Sequence, residues 1–314
     1  MPDTPALDDY VMPFQIETSG ARGRLVRLGP ALTSILSQHD YPEAVSTLLA
    51  EAITLTAMLG ALLKIEGGSF ILQTRSEGPV RFLVANYHAP GKIRGYASFE
   101  PSAFAGASSG GKPAKSHLGD GHLAMTIDPG PGMERYQGVV VLEGGNLSEA
   151  ADLYFRQSEQ IPTFIKIAVA RHYEAGNDGG RWSWRAGGLM VQRLTREGGT
   201  APEHVTGSGH EADDAWERAR LFASTVEDHE LLDVGLPADR LLYRLFHQES
   251  VRAFEPQPLA AFCQCSVERV EQMLSRFSAE EIDDMEQDGR VQVTCEFCNQ
   301  RYDFEADKLR AMGE

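Results

Sequence analysis

The sequence predicts an α+β chain in three parts: an N-terminal domain with an antiparallel sheet and packed helices, a helical linker, and a small C-terminal cysteine module. Alternating apolar runs joined by short Gly and Pro turns, interrupted by helical runs, fill residues 1–195. Residues 196–254 combine acidic charge with helical periodicity, and residues 255–314 hold all four cysteines of the chain. Strands and helices in this order are typical of an α+β domain followed by smaller segments.

The composition limits the partners and the location of the protein. Its 314 residues suit two or three domains at roughly 150 residues each. A formal charge of −16, from 29 basic and 45 acidic residues, argues against nucleic acid and anionic membranes as partners. The first residues lack the basic and apolar segments of a signal peptide, and no apolar run approaches about 18 residues. We therefore expect a soluble cytoplasmic protein, in which thiols stay reduced.

The N-terminal region predicts a short strand region followed by two helices. The first helix is expected at about Pro30 to Gln38. The second starts at Pro42, which suits a first helical turn, and ends at Gly67 and Gly68. Because its apolar residues surround much of the helix, we expect this second helix to be buried against a sheet.

From residue 69 the apolar period changes to two, which predicts a series of antiparallel strands. Asn146 with Glu149 resembles a capping box, which opens a helix ending near Glu159. Trp182 and Trp184 fall on one face of the last strand, where core packing is the expected role. The predicted strands are Ser69–Arg75, Val80–Tyr87, Ile93–Phe99, His122–Ile127, Arg135–Leu142, Thr163–Tyr173 and Trp182–Leu194.

Two enzyme-like matches occur in the glycine- and serine-rich loop of residues 101–122. Gly106–Gly110 fits G-x-S-x-G, yet a nucleophile elbow needs a strand before it and a helix after it. Gly119–Ala124 resembles a dinucleotide fingerprint but leads into a predicted strand, so a phosphate would lack a helix N-terminus. Neither match predicts an enzyme, and both stretches are expected to be flexible loop.

The linker combines acidic charge with large apolar side chains. Helices are predicted at Ala212–Val226, Asp228–Val234 and Pro237–Gln248, and residues 207–250 hold ten acidic and four basic residues, a net charge of −6. Such a segment is not a solvated spacer, because its apolar faces either pack on something or become a binding surface when undocked. The large apolar residues are Leu221, Phe222, Leu231, Leu232, Leu241, Leu242, Leu245 and Phe246.

The four cysteines form two close pairs, Cys263-x-Cys265 and Cys295-x-x-Cys298, with 29 residues between the pairs. Brought together, two such pairs make the tetrahedral thiolate cage that zinc prefers. Each pair can also close on itself as a disulfide, because cysteines two apart in an extended segment reach a Cα separation of about 5.5–6.8 Å. Roughly 60 residues form only a marginal core without a staple, so the spacing predicts a metal site that holds this module together.

Short helices and strands are expected around the cysteine pairs. Ser266 and Ser278 are predicted to cap two helices, the second with a capping box. A strand at Val291–Val293 is predicted to lead into the second pair, and a second strand at Tyr302–Phe304 is predicted to return from it. The module holds 14 acidic and six basic residues, a net charge of −8, which again argues against a nucleic-acid partner.

Several stretches along nearly the full length carry a resemblance to a known family. The Ser158–Thr163 stretch together with the cysteine pattern is specific. By these residues the chain resembles the bacterial thirty-three-kilodalton heat-shock protein family, whose members are redox-regulated holdase chaperones. The matching stretches are His39–Pro42, Glu134–Val140, Leu142–Gly144, Tyr154–Thr163, Gly187–Gln192 and Leu242–His247, with the two cysteine pairs.

The resemblance implies an inactive reduced form with one zinc on Cys263, Cys265, Cys295 and Cys298, and no enzymatic reaction. It implies that oxidants form the disulfides Cys263–Cys265 and Cys295–Cys298, that zinc leaves, and that the module and linker unfold. The protein then holds unfolding client proteins, typically as a dimer. We expect the linker to supply client-binding side chains, and the candidates are Leu221, Phe222, Leu241, Leu242, Leu245 and Phe246.

Two other interpretations stay open from the residues alone. One is a constitutive zinc-ribbon interaction or adaptor module on an unrelated domain; a basic face would favour nucleic acid there, and the sequence shows none. The other is a C-x-x-C thiol oxidoreductase, which needs the motif at a helix N-terminus in a βαβ context. Here the motif follows a predicted short strand instead.

Overall fold

A computed structural model of the chain describes residues 8–63, 67–105, 117–130, 132–144, 146–175, 180–193 and 209–312, with side chains from residue 213 in the last range. The chain divides into two units, Met1–Ser37 with Tyr41–Ala261 and Gln38–Asp40 with Phe262–Glu314. Both units contain helices and strands, which confirms the predicted α+β class. The predicted three-part division concerns how the linker behaves, and it stays a prediction.

The first unit contains two six-stranded sheets and the helices packed on them. In chain order its elements are β1 (Tyr10–Ile16), β2 (Ala21–Leu28), α1 (Pro30–Leu36), α2 (Glu43–Gly60), β3 (Ser69–Ser76), β4 (Val80–His88), β5 (Lys92–Phe99), β6 (Gly121–Asp128), β7 (Tyr136–Leu142), α3 (Leu147–Tyr154), β8 (Thr163–Glu174), β9 (Arg181–Arg193), α4 (Gly209–Ser224), α5 (Asp228–Leu232), α6 (Ala238–Phe246), β10 (Val251–Ala253), β11 (Gln257–Pro258) and β12 (Ala260–Ala261).

The strand order separates a first sheet from a second sheet. The first sheet runs β10-β1-β2-β9-β8, with β11 also paired to β1. The second runs β12-β5-β4-β3-β6-β7. All neighbouring strands are antiparallel except β12 and β5, which are parallel. The alternation of apolar residues predicted the strands from residue 69 to 193 to within about two residues at each end.

Helix α2 forms the main core, because it contacts strands of both sheets and 14 of its 18 residues are buried. It ends at Gly60, seven residues before the predicted stop at Gly67. Glycine is a weak helix former, and a Cβ at Gly60 would lie 2.3 Å from the Tyr87 ring, so the ring takes the space that another side chain would need. Residues 64–66 lie outside the described residues.

The apolar character of α2 has a structural explanation. Among the described residues it is the one helix long and apolar enough to cross a membrane, judged by length and composition. However, 78 % of that 18-residue window is buried inside the protein. Contact with two sheets explains its apolar character, as expected for a core helix.

The linker helices α4, α5 and α6 cover the face of the first sheet that α2 does not contact. Their apolar residues form one buried cluster with residues of β1, β2, β8 and β9. The rings of Phe14 on β1 and Phe246 on α6 stack with centroids 5.7 Å apart. The first sheet is therefore covered by helices on both faces. The predicted boundary between residues 195 and 196 lies outside the described residues.

The second unit is small. Its elements are α7 (Val267–Leu274), α8 (Ala279–Met285), β13 (Arg290–Thr294), β14 (Arg301–Glu305) and α9 (Ala306–Met312). Ser266 and Ser278 cap α7 and α8 as predicted, and the capping box at Ser278 is complete. Helix α9 was not predicted; its Leu309 completes the small core. That core consists of Leu274, Ile282, Val291, Phe304, Ala306 and Leu309.

The prediction for Trp182 is wrong. Its side chain is 55 % exposed, and the Arg171 guanidinium lies 4.5 Å from its ring centroid. Helix α1 covers the β8–β9 hairpin only as far as Trp184, where the Thr33 hydroxyl and the Trp184 backbone exchange hydrogen bonds. The hairpin extends beyond that point, and Trp182 lies on the uncovered part. Trp184 packs against the core as expected. The G-x-S-x-G stretch lies outside the described residues. The expectation that Gly119–Ala124 is flexible loop is wrong from Gly121 onward, because β6 begins there.

Candidate metal centre

Two tight backbone segments present the four cysteines. Cys263 and Cys265 lie in the extended segment before α7, where the Ser266 hydroxyl accepts from the Arg269 N–H at 3.3 Å. Cys295 follows β13 and begins a turn in which the Asn299 N–H donates to the Cys295 carbonyl at 2.8 Å. Asn299 adopts φ of 55°, a left-handed conformation that asparagine tolerates, and this lets the chain return as β14.

The four sulfur atoms meet at one point. The Cys263 and Cys295 sulfurs are 3.6 Å apart, those of Cys265 and Cys298 are 3.2 Å apart, and all four lie within 4.8 Å of one another. All are half-buried free thiols. Tetrahedral zinc with sulfur at about 2.3 Å requires sulfur–sulfur distances of about 3.8 Å, so the group has the size and the donors of a metal site.

The thiols differ in acidity. Burial raises the pKa of Cys263, but hydrogen bonds from the Cys265 backbone N–H and from the neighbouring thiols outweigh it and lower that pKa to about 7. Burial raises the pKa of Cys298, and its hydrogen bond with Cys265 raises it further. A negative charge therefore forms more readily on Cys263 than on Cys298, and a bound cation would favour the thiolate form of the group.

Tyr302 is a neighbour of the site that the sequence did not single out. Its phenol on β14 faces the Cys265 sulfur, and this interaction raises the pKa of the phenol. The ring packs against the core of the second unit. Polar neighbours of this kind orient metal ligands. Tyr302 and Phe304 are two residues apart and share one face of β14. Only the register of β14 against β13 shows that this face brings the phenol to the cysteines.

The structure places the predicted client-binding residues mostly inside the first unit. Leu241, Leu242 and Phe246 are fully buried against the first sheet, and Leu245 is nearly so. Phe222 is half-buried, whereas Leu221 is 59 % exposed. The linker positions on α6 therefore belong to a docked apolar face, and Leu221 is already on the surface.

Two basic side chains of the first sheet contact the two ends of the linker helix α5. Arg27 on β2 donates to the carbonyls of Asp233 at 2.5 Å and Glu230 at 3.0 Å, at the C-terminal end of α5. Lys166 on β8 lies 3.2 Å from the Asp228 carboxylate, at the opposite end of that helix. A cation at a helix C-terminus and an anion at its N-terminus both match the helix dipole.

A second polar contact fixes the end of the linker. The buried Glu249 carboxylate accepts from the Arg218 side chain at 2.9 Å and from the Thr18 hydroxyl. Arg244 pairs with the buried Glu230 at 2.6 Å. Sequence reasoning missed these contacts because Arg27 and Thr18 lie more than 200 residues from their partners, and no local pattern joins them.

The geometry of the C-x-x-C pair does not match a thiol oxidoreductase. Such enzymes place the motif at a helix N-terminus, which lowers the thiol pKa. Here the pair lies in a turn between β13 and β14, and the pKa of Cys298 is raised. The arrangement instead resembles the closed four-thiolate set of structural metal sites.

Comparisons with known proteins agree with one another. The family model described as Hsp33 protein matches residues 9–305. The 33 kDa chaperonin of Caulobacter vibrioides is 43 % identical over 304 residues, which cover 96 % of both chains. The 33 kDa chaperonin of Nitrosococcus oceani is 38 % identical over 298 residues, which cover 95 % of this chain and 91 % of the relative.

The fold is also similar to a solved structure. The crystal structure of the 33 kDa chaperonin from Thermotoga maritima aligns with a TM-score of 0.75 and covers 97 % of both chains. Its sequence identity is 22 %, so this similarity supports the fold alone.

Proposed function

The chain belongs to the Hsp33 protein family, and on that premise we propose that it is a redox-regulated, ATP-independent holdase chaperone. It binds unfolding proteins under oxidative stress and prevents their aggregation. The observation that carries the proposal is the group of four free thiols whose sulfurs all lie within 4.8 Å of one another. The relatives are named chaperonins, which supports chaperone activity, and we assign the protein no enzymatic reaction.

Zinc is the metal we assign to the four thiols, one per chain in the reduced protein. Cys263, Cys265, Cys295 and Cys298 would each supply one thiolate. When bound, zinc would supply folding free energy on the order of 10–16 kcal/mol, as in other small modules. The second unit has six buried apolar residues in its core, so it depends on that contribution.

Oxidation would remove the ligands in pairs. Formation of Cys263–Cys265 and of Cys295–Cys298 would each take two electrons from two thiolates; for each disulfide, one molecule of hydrogen peroxide accepts the electrons and takes up two protons from solvent as it is reduced to two waters. Each disulfide removes two of the four ligands, so zinc would leave and the second unit would unfold.

The linker would then expose its apolar face. Sixteen residues, 247–262, separate the end of α6 from Cys263 in the chain. Undocking would uncover Leu241, Leu242 and Phe246, while the net charge of −6 over residues 207–250 limits self-aggregation. We propose that these side chains hold client proteins, that the oxidised protein is a homodimer, and that it works in the cytoplasm.

The test follows zinc and activity in one experiment. The reduced protein, checked for one zinc per chain, is treated with peroxide at raised temperature. Zinc release and suppression of citrate synthase aggregation are measured on the same samples, and we expect both to rise together. Full suppression of aggregation while zinc stays bound would contradict the redox mechanism, and rapid insulin reduction would instead favour an oxidoreductase.

A further inference from the structure

The second sheet ends in a strand whose outer edge is open. Strand β7 pairs with β6 on one side, and its other edge faces no strand among the described residues. Such an edge presents unpaired backbone N–H and C=O groups, and another extended chain can pair with them.

The remaining sheet edges of the first unit are protected. Strands β10 and β11 cover β1, and β12 covers the first two residues of β5, a strand that also carries the charged residues Lys92 and Arg94. Strand β8 carries Lys166 and Arg171, which pair with Asp228 and Glu43. Proteins normally block edges in these ways, by covering them or by placing charges on them. Strand β7, in contrast, contains no charged residue and no proline.

The surface along β7 is apolar. Met133, Tyr136, Val139 and Val141 fall within nine residues, and each is between 50 and 56 % exposed. Val139 and Val141 share one face of the strand, whereas Val140, on the opposite face with Tyr136, is buried in the core and anchors it. An open apolar edge promotes aggregation unless a partner uses it, so this edge has the character of a binding site.

The strand is held rigidly at its first residue. The Glu159 carboxylate accepts from the hydroxyls of Tyr136 at 3.1 Å and Tyr154 at 2.6 Å. Glu159 ends a π-helical turn, Phe155–Glu159, and Gln160 follows at φ of 55°. Turns of this kind are rare and concentrate at functional sites. This part of the Tyr154–Thr163 signature, which the thiol switch does not explain, therefore positions the edge for pairing.

Charge identifies the chemistry of the partner. Glu134 and Glu143 are exposed at the two ends of β7, and no salt bridge joins either to a residue that the structure describes. Arg135, the nearest cation, is compensated by Asp128 at 2.8 Å. The edge is thus apolar in its middle and acidic at both ends, which complements an apolar segment with basic flanks.

We propose that β7 is a strand-addition site that takes an extended, alternating apolar segment of a client polypeptide with Lys or Arg at its ends. The proposal rests on the holdase function proposed above and names the client feature that the protein reads. No linker residue and no cysteine takes part, so this edge binds a short extended segment in either redox state, whereas holding a whole unfolding protein also requires the linker face that oxidation exposes.

A synthetic peptide tests the proposal. The probe is a labelled nonapeptide, Lys-Lys-Val-Thr-Val-Thr-Val-Lys-Lys, whose binding to the full chain is followed by fluorescence anisotropy. We expect binding in reductant and new hydrogen-exchange protection in residues 136–142. Methylating the alternate amides that pair with β7 abolishes binding, whereas methylating the other set does not, because only one set faces the strand. A Glu-flanked version binds more weakly.

Charged substitutions on the edge provide the matched comparison. Val139→Lys with Val141→Lys is expected to raise the Kd of the peptide about tenfold or more. Val234→Lys, at an equally exposed valine outside the sheets, is expected to leave it within about twofold. Circular dichroism confirms that both variants fold.

The outcomes separate this proposal from the holdase function. If the peptide binds equally well to the edge variant, or if both methylated peptides bind, the strand-addition site is wrong. Suppression of citrate synthase aggregation after oxidation would then still support the holdase. If oxidised protein suppresses no aggregation while the edge variant alone loses the peptide, the holdase function fails and the strand-addition site stands as a peptide site.

Discussion

Gly187 on β9 lies directly under the backbone of Leu231 in helix α5. A Cβ built at Gly187 would lie 2.4 Å from the Leu231 carbonyl oxygen, closer than any such contact allows. Neither group can move aside, because one belongs to a central strand and the other to a helix backbone held by Arg27. The absence of a side chain at Gly187 is therefore what lets the linker dock on the first sheet.

Gly187→Ala is expected to loosen the linker in the reduced protein. The new methyl group pushes α5 off the sheet at a cost of about 1–3 kcal/mol, typical of overpacking. Hydrogen exchange of residues 228–246 should speed up, and aggregation suppression in reductant should rise. The neighbouring Gly188→Ala serves as the control, since its Cβ meets no linker atom: it lies 2.4 Å from the flexible end of Met58 and 3.1 Å from the Thr54 methyl group, both on α2. Equal linker exchange in both variants would refute this role of Gly187.

Replacing Leu241, Leu242 and Leu245 together with Ser is expected to undock the linker more completely. Each loses a buried side chain worth about 2–5 kcal/mol, and the sheet residues beneath lose their cover. The variant should be cleaved rapidly in residues 209–253 and should be active without oxidant. Tyr243→Ser on the same helix is the control, because Tyr243 is exposed. Unchanged protease sensitivity together with unchanged basal activity would show that docking does not control activity.

The sequence was sufficient where the signal is local. The four cysteines could be assigned to one site because the members of each pair are only two or three positions apart, so their spacing indicates a metal site without knowledge of the fold. The caps at Ser266 and Ser278 were likewise predicted, since a capping side chain and its target lie three residues apart. The strands from residue 69 onward were predicted because one face of each is buried, which imposes a period of two.

The sequence was insufficient where distant parts of the chain meet. Arg27 contacts Asp233 across 206 positions, and only the assembled sheet brings them together. Trp182 was misjudged because the alternation of large and polar residues along β9 is the same where α1 covers the strand and where it does not. Tyr302 was missed because its role depends on the register of β13 and β14, which brings the phenol to the Cys265 sulfur.

Tyr302→Phe is expected to weaken zinc binding without unfolding the second unit. The substitution removes the hydroxyl that faces the Cys265 sulfur and keeps the ring in its core position. Loss of such a supporting contact typically lowers metal affinity about 10–100-fold. Competition with a chromophoric chelator measures the change, with Tyr243→Phe as the control on the surface. Identical zinc affinity in the variant and the unmodified protein would exclude this contribution of Tyr302.

The two cysteine pairs are not expected to form disulfides equally readily, although loss of either pair should have the same effect on the metal site. The Cys295-x-x-Cys298 pair spans a turn, so its disulfide can form with little strain, whereas the shorter Cys263-x-Cys265 pair depends more on local geometry. Removing either pair leaves only two of the four ligands, so most of the contribution of the metal to folding is lost. A chain without the second pair should therefore resemble the oxidised state permanently.

Cys295→Ser with Cys298→Ser is accordingly expected to have a loosened second unit even in reductant. Its suppression of citrate synthase aggregation should depend much less on peroxide than that of the unmodified protein. Hydrogen exchange over residues 262–312 should approach that of an unfolded segment, while β2, β3 and β9 stay protected, because the core of the first unit contains no cysteine. The matched variant Cys263→Ser with Cys265→Ser should behave similarly. Native-like protection of residues 262–312 with no gain of activity in reductant would mean that the four thiols are a passive staple and that zinc does not restrain the linker.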